Sequence, residues 1–308
     1  MAPLVPPAVP AFRDLVRALR PSQWTKNLVV PAAFFFAYWD RSRAVPLGPS
    51  DLAAVIPAVL IFCVLSSGVY VLNDLTDIES DRHHPVKRHR PIAAGRIRTG
   101  QAGLLGLLLL AAGGVAAWRL SRPFAAVTAG YVAVQMVYTF WLKQIALVDI
   151  MVIASGFVLR AIAGAVVLPG VTISPWLLLC TFLLALFLAL CKRRHEKALA
   201  PDHDPRHRPS LVKYDRYLLD QLIAVTAGAT IVCYAIYTLW PETVAKFGTT
   251  GLGCTIPFVV FGLFRYMDLV FRHDKGGRPE KILLTDLPLL ATLGLYGLTT
   301  LVVFLLHS

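Results

Sequence analysis

Thirty-one consecutive residues, from Ala161 to Cys191, carry no charged side chain. Water cannot surround such a run, and a soluble core has little room for one of that length, so it belongs in a lipid bilayer. Pro169–Gly170 followed by Ser174–Pro175 breaks the run into two helices. Apolar stretches of similar length recur along the chain at about 52–73, 101–118, 123–142, 145–168, 175–191, 218–240, 248–267 and 285–306. A shorter one covers Trp24 to Trp39. Together they predict an all-α polytopic membrane protein with nine transmembrane helices.

Composition agrees: 56 % of the residues are apolar and the mean hydropathy is +0.63, too high for an ordinary soluble protein. Charge placement predicts the topology. With the N-terminus inside, the inner segments hold 24 of the 30 Lys and Arg residues and the outer loops hold 5. That asymmetry puts the N-terminus in the cytoplasm and the C-terminus outside. It also explains the net charge of +12 without nucleic acid as a partner. The opening Met1 to Phe12 has no basic region ahead of a short apolar core, so no cleaved signal peptide is expected. The whole chain, 1–308, reads as one transmembrane domain. Residues 1–10 are expected to be disordered and 11–20 to form an interfacial helix, with Phe12, Leu15, Val16 and Leu19 opposite Arg13, Arg17 and Arg20. The five cysteines are scattered, mostly in apolar runs, and read as buried thiols.

Chemistry gathers in Val71 to Arg98, VLNDLTDIESDRHHPVKRHRPIAAGRIR, where an apolar helix runs into four acids and six bases. At about 100° per residue, Asp74, Asp77 and Asp81 fall in one narrow sector of a helix, with Asn73 at its edge and Glu79 on the other side. Carboxylates so placed repel each other unless a cation sits among them, and a hard divalent ion such as Mg²⁺ carrying a phosphate is the economical choice. The bases that follow, Lys87, Arg88, Arg90, Arg96 and Arg98, suit a diphosphate leaving group. A second basic cluster, Lys192-Arg193-Arg194-His195-Glu196, ends the span that begins at Pro175. The histidines, His83, His84, His195, His203 and His207 among them, lack zinc-site spacing.

Three further residues carry two readings each. Arg160 lies three helical turns after Asp149, and a charge near the bilayer centre costs roughly 2.5–3.5 kcal/mol. It therefore either pairs with an acid in packing or binds a lipid phosphate. Tyr138 and Lys143, at an inner helix end, either anchor the interface or contact phosphate.

The segment NDLTDIESDR after an apolar helix, with RPSQWTKN before the first span, resembles UbiA-type intramembrane prenyltransferases along nearly the whole chain. Those enzymes bind a polyprenyl diphosphate with Mg²⁺ and carry a second Asp-rich motif where this chain has Lys192 to Glu196. That departure, with LVDIMVIASGFVLRAIAG and LALCKRRHEK, is similar to the decaprenyl-phosphate phosphoribosyltransferase branch. The resemblance implies transfer of 5-phosphoribose from phosphoribosyl diphosphate to decaprenyl (polyprenyl) phosphate, for cell-wall arabinan biosynthesis. A basic loop in place of the second acidic one suits three anionic groups in one site. The implied residues are Asp74, Asp77 and Asp81 as catalytic acids and, with Asn73, as metal ligands. Substrate contacts are expected from Asn73, Lys26, Lys87, Arg88, Arg90, Tyr138, Lys143, Arg160, Lys192, Arg193, Arg194 and Glu196. The implied location is the cell's inner membrane with the site facing the cytoplasm, and a homo-oligomer is compatible with it. The alternatives are a prenyltransferase acting on an aromatic or other acceptor, and a lipid-phosphate carrier.

Overall fold

The computed structural model describes residues 10–84, 86–199, 211, 213–273 and 275–307. The Pro-rich opening over 1–9, and residues 200–210 with His203 and His207, lie outside the described residues. Among the described residues all regular structure is helical: α1 Phe12–Ala18, α2 Ala32–Tyr38, α3 Leu52–Thr76, α4 Ile78–His83, α5 Thr99–Leu120, α6 Arg122–Phe140, α7 Val148–Val166, α8 Pro175–Leu199, α9 Arg216–Leu239, α10 Pro241–Phe247, α11 Ile256–Arg272, α12 Pro279–Thr285 and α13 Leu287–Leu306. A 3-10 stretch, Pro21–Val29, joins α1 to α2.

Eight of these, α3, α5, α6, α7, α8, α9, α11 and α13, are long and apolar enough to cross a bilayer. The ninth expected span differs. Trp24 to Trp39 is no single helix but the 3-10 stretch, a break at Val30–Pro31 and the seven-residue α2. Pro31 has no N–H to continue the ladder, and the tighter 3-10 turns lengthen the segment before it.

Over their most apolar stretches α3 and α7 are 56 % buried and α5 only 17 %, which makes the first two central and the last peripheral. The outward leucines Leu104, Leu107 and Leu108 of α5 are exposed because lipid, not water, is their solvent. Two apolar clusters flank α7: one holds Phe62, Phe124 and Tyr131, the other Phe187, Leu219 and Tyr266. Small residues let helices approach closely. A Cβ at Gly113 would lie 2.6 Å from the Leu65 side chain, and one at Gly106 would lie 2.8 Å from Leu72, so α5 docks on α3 through glycine faces.

The tightest approach is Gly164 of α7, where a Cβ would stand 2.0 Å from the Val30 carbonyl oxygen. Backbone cannot yield as a flexible side chain does. Gly164→Ala is therefore expected to push the 3-10 stretch off α7 and cost on the order of 3 kcal/mol, read as a lowered melting temperature in detergent.

The expected interfacial helix exists as α1, with Phe12 exposed. Its Ala18 packs with Val71, Ile92, Ile97 and Ala102, and Asp14 pairs with Arg96 at 2.9 Å. Arg20 does not continue its polar face. The backbone turns left-handed there, at φ 53°, and sends the guanidinium inward.

Candidate active site

Asn73 and Asp74 sit in the last turn of α3, Asp77 joins α3 to α4, and Asp81 lies on α4. The acids do not share one unbroken helix. At Asp77 (φ −100°, ψ 8°) the helix breaks, and hydroxyls on either side, Thr76 to the Asn73 carbonyl and Ser80 to the Asp77 carbonyl, compete with the backbone ladder.

The break sorts the carboxylates. Asp74 and Asp81 turn inward, 3 % and 2 % exposed, and share Arg90, whose Nη1 donates to Asp74 at 3.0 Å and also to Asp81. Arg20 donates to the same Asp74 oxygen and stacks over the Tyr70 ring. Asp77 accepts from Asn73 Nδ2 at 2.9 Å and pairs with Lys143 at 2.5 Å. Glu79 points out to Arg82. Burial pushes the Asp81 carboxyl above the usual carboxylate range, against the pull of Arg90 and Lys87.

Arg20 reaches Asp74 because the 3-10 stretch is stapled to α3: Trp24 Nε1 donates to Ser67 at 3.0 Å, and Ser67 donates to the Leu19 carbonyl at 2.8 Å. By donor type the cluster fits a hard divalent cation, since it offers three carboxylates and an amide oxygen. By arrangement, no three Asp, Glu, His or Cys side chains converge as a metal cage among the described residues. Arginine and lysine supply the positive charge between them.

Of the two readings of Arg160, pairing with an acid does not hold. Asp149 is not its partner; that acid is fully buried against Arg193 at 2.8 Å and the Tyr214 hydroxyl at 2.6 Å. Arg160, 4 % exposed, donates only to neutral groups: Asn27 Oδ1 at 2.8 Å, the Gly156 carbonyl at 2.8 Å and Tyr131 OH at 2.9 Å. It also lies over the Tyr131 ring. Among the described residues no carboxylate pairs with this guanidinium. Lys26 lies within electrostatic reach of both Arg160 and Arg20, so positive charge continues from the spanning helices to the acid cluster.

The second basic cluster splits by role. Lys192 keeps its side chain 43 % exposed, 3.9 Å from Glu196, and senses the charges of Lys26 and Lys87. Arg193 is buried between Asp149 and Glu196 and ties α7 to α8. Arg194 pairs with Asp220 at 2.6 Å, donates to the Val270 carbonyl at 3.1 Å and covers Phe271, so it ties α8 to α9 and α11. Tyr138 lies within reach of Arg193. Arg88 is exposed beside His89.

Residues 28–305 match the UbiA prenyltransferase family. The chain belongs to that family. Among its UbiA relatives, the decaprenyl-phosphate phosphoribosyltransferase of Mycolicibacterium smegmatis is 37 % identical over 88 % of this chain and 86 % of its own length. The enzyme of the same name from Mycobacterium tuberculosis is 35 % identical over 88 % of both chains. The fold is similar to a UbiA homolog from Archaeoglobus fulgidus bound to GPP and Mg²⁺, with a TM-score of 0.71 and 18 % identity over 94 % of this chain and 99 % of that one. The same homolog is also known bound to Cd²⁺ (TM-score 0.67, 18 % identity, covering 94 % of this chain and 99 % of that one). The UbiA chain described here is a multi-pass membrane transferase.

Arg20, Gln23, Asn27, Tyr131 and Glu280 were not among the expected site residues. Arg20, Gln23 and Asn27 left a trace in sequence, since all three fall within RPSQWTKN; Tyr131 and Glu280 left none.

Proposed function

We propose that this UbiA-family protein transfers 5-phosphoribose from phosphoribosyl diphosphate to decaprenyl phosphate, giving decaprenylphosphoryl-5-phosphoribose and diphosphate. One observation carries the reading. Arg160, a buried cation in a spanning helix, has only neutral partners, and Lys26 adds a second positive charge nearby. A charge in a low-dielectric interior calls for a counter-ion, and among the described residues no carboxylate pairs with Arg160. A prenyl diphosphate held at the acid cluster brings no second anion to that depth; a lipid phosphate acceptor does. The names of the relatives support the same choice.

In this reading Asn73, Asp74, Asp77 and Asp81 would hold a divalent ion, Mg²⁺ by the hardness of the donors, and the ion would neutralise the leaving diphosphate. Arg20 and Arg90, which share Asp74, exchange a carboxylate for donor phosphate at similar charge-assisted strength. Lys87, Arg88 and Lys192 extend that positive field, and Lys143 holds Asp77 in place. Tyr138 and Glu196 orient Arg193, and Arg193 and Arg194 hold α8 so that Lys192 faces the donor.

The C1–O bond loosens toward an oxocarbenium-like state. A lipid phosphate oxygen, held by Arg160 and Lys26, then attacks C1 from the opposite face with inversion. The phosphate is already ionised, so no strong general base is required.

The first segment, 21–38, is proposed to complete nine crossings of the inner membrane, with α1 on the cytoplasmic surface. The site then faces the soluble donor, and the product feeds arabinan assembly. Purified protein with Mg²⁺, phosphoribosyl diphosphate labelled in the ribose and decaprenyl phosphate tests the reading: label passes into an organic extract.

A further inference from the structure

The turn that carries Lys143 needs an anchor. Lys143 pairs with Asp77 at 2.5 Å and donates to the Thr76 hydroxyl at 3.0 Å, so this turn between α6 and α7 fixes one of the metal-side acids. None of the residues 141–147 is buried, and packing therefore gives the turn little support. Its last residue, Leu147, stands at φ 69° and ψ −46°, close to the γ-turn conformation that is rare and strained. Leu147 opens α7 with no side-chain cap. A non-glycine residue keeps such a backbone only where its surroundings over-determine it.

One side chain supplies that constraint from 67 residues away. The Leu147 N–H donates to the Tyr214 hydroxyl oxygen at 2.7 Å, and the same hydroxyl donates to Asp149 Oδ1 at 2.6 Å. Tyr214 is 2 % exposed and belongs to the apolar cluster of Ile150, Phe187 and Leu219. Burial and the bond to Asp149 hold the phenol above its usual range, so it stays a proton donor. The other Asp149 oxygen accepts from Arg193 Nε at 2.8 Å, and Arg193 also donates to Glu196, which stands 3.9 Å from Lys192. A single buried hydroxyl thus joins two lines of contacts. One runs through the Leu147 turn to Lys143 and Asp77; the other runs through Asp149 and Arg193 to Glu196 and Lys192.

Both lines end on groups assigned above to the metal and the donor diphosphate. We infer that Tyr214 is a positioning residue for that diphosphate: its hydroxyl locks the Leu147 turn against Asp149 and so keeps Lys143 and Lys192 in place around one ligand. The inference rests on the proposed placement of the diphosphate between the acids and Lys192, and adds the residue that couples the two sides. A hydroxyl suits the task because it accepts and donates at once. Phenylalanine would keep the ring and lose both bonds. Outer hydrogen-bond partners of a metal site are typically worth about 10–100-fold in affinity.

Calorimetric binding of inorganic diphosphate with Mg²⁺ to the full-length protein in detergent tests this without turnover. Tyr214→Phe is expected to weaken binding about tenfold or more. Lys143→Met weakens it too, and the loss in the double variant is expected to fall well short of the product of the two single losses, because the hydroxyl acts through the Lys143 turn. Leu147→Gly, which takes the same φ without strain, is expected to recover the melting temperature and part of the binding in the Tyr214→Phe background. A hydroxyl that only packed the start of α9 would lower the melting temperature, multiply its effect with that of Lys143→Met and ignore Leu147→Gly. Undiminished binding in Tyr214→Phe, independent losses in the double variant, no recovery with Leu147→Gly, or no Mg²⁺-dependent binding by the unaltered protein overturns the inference. Diphosphate also leaves in a prenyl transfer, so absence of ribose label transfer with these results intact counts against the proposed reaction and leaves Tyr214 in its role.

Discussion

Asp77→Asn is expected to lower metal-dependent turnover by at least about 100-fold while the protein keeps its melting temperature. Asp77 is the cleanest acid to change. Asp74 and Asp81 are buried and share Arg90, and Asp74 also holds Arg20, so removing Asp74 strands Arg20 and removing Asp81 takes one of the two partners of Arg90, which blurs activity with folding. Asp77 is 25 % exposed, and among the described residues its one ion pair is with Lys143. The amide oxygen of the variant still accepts from Lys143, and a flipped Asn73 amide accepts from its nitrogen, but the charge a hard cation needs is lost. Initial rates of label transfer, measured beside thermal melting, check it. Near-normal turnover removes Asp77 from the reaction.

Changing Arg160 is expected to separate acceptor from donor. Arg160→Lys keeps a positive charge but loses the planar fork that reaches Asn27, Gly156 and Tyr131 together. The expected result is a KM for decaprenyl phosphate raised about tenfold or more, with the KM for phosphoribosyl diphosphate nearly unchanged. Arg160→Ala goes further. It strands buried Asn27 and Tyr131 groups and costs about 1–3 kcal/mol of stability as well as acceptor binding. A guanidinium that only packed helices would lower the melting temperature in both variants and leave the two KM values in their original proportion.

Much of the architecture is readable from residue order, because lipid imposes its pattern on every long helix at once. Eight of the nine expected spans coincide with long apolar helices, and only the stretch around Pro31 departs. The acid-rich loop stands out for the same reason, since charge beside an apolar helix is conspicuous. Pairings across helices are another matter. Helical phase puts Asp149 and Arg160 on one face of α7, yet Asp149 lies near the helix start and meets Arg193 of α8 instead. Nothing in periodicity reports which helix stands opposite. The same holds for Arg20, 54 residues from Asp74 and directed there by a left-handed turn that a non-glycine residue adopts only where its surroundings compel it. The Gln23–Glu280 bond joins opposite ends of the chain. Even the grouping of the acids depended on a local event, the helix break at Asp77, which hydroxyl side chains favour but do not announce.

The central claim is that the metal-side acids serve a sugar diphosphate and the buried arginine a lipid phosphate. Purified protein and Mg²⁺, offered two substrate pairs in parallel, test it most directly. One pair is ribose-labelled phosphoribosyl diphosphate with decaprenyl phosphate; the other is a labelled prenyl diphosphate with an aromatic acid. A lipid-soluble, ribose-labelled product is expected from the first pair, lost in Asp77→Asn, and no transfer with the second. Turnover of the prenyl diphosphate together with no product from the first pair would contradict it.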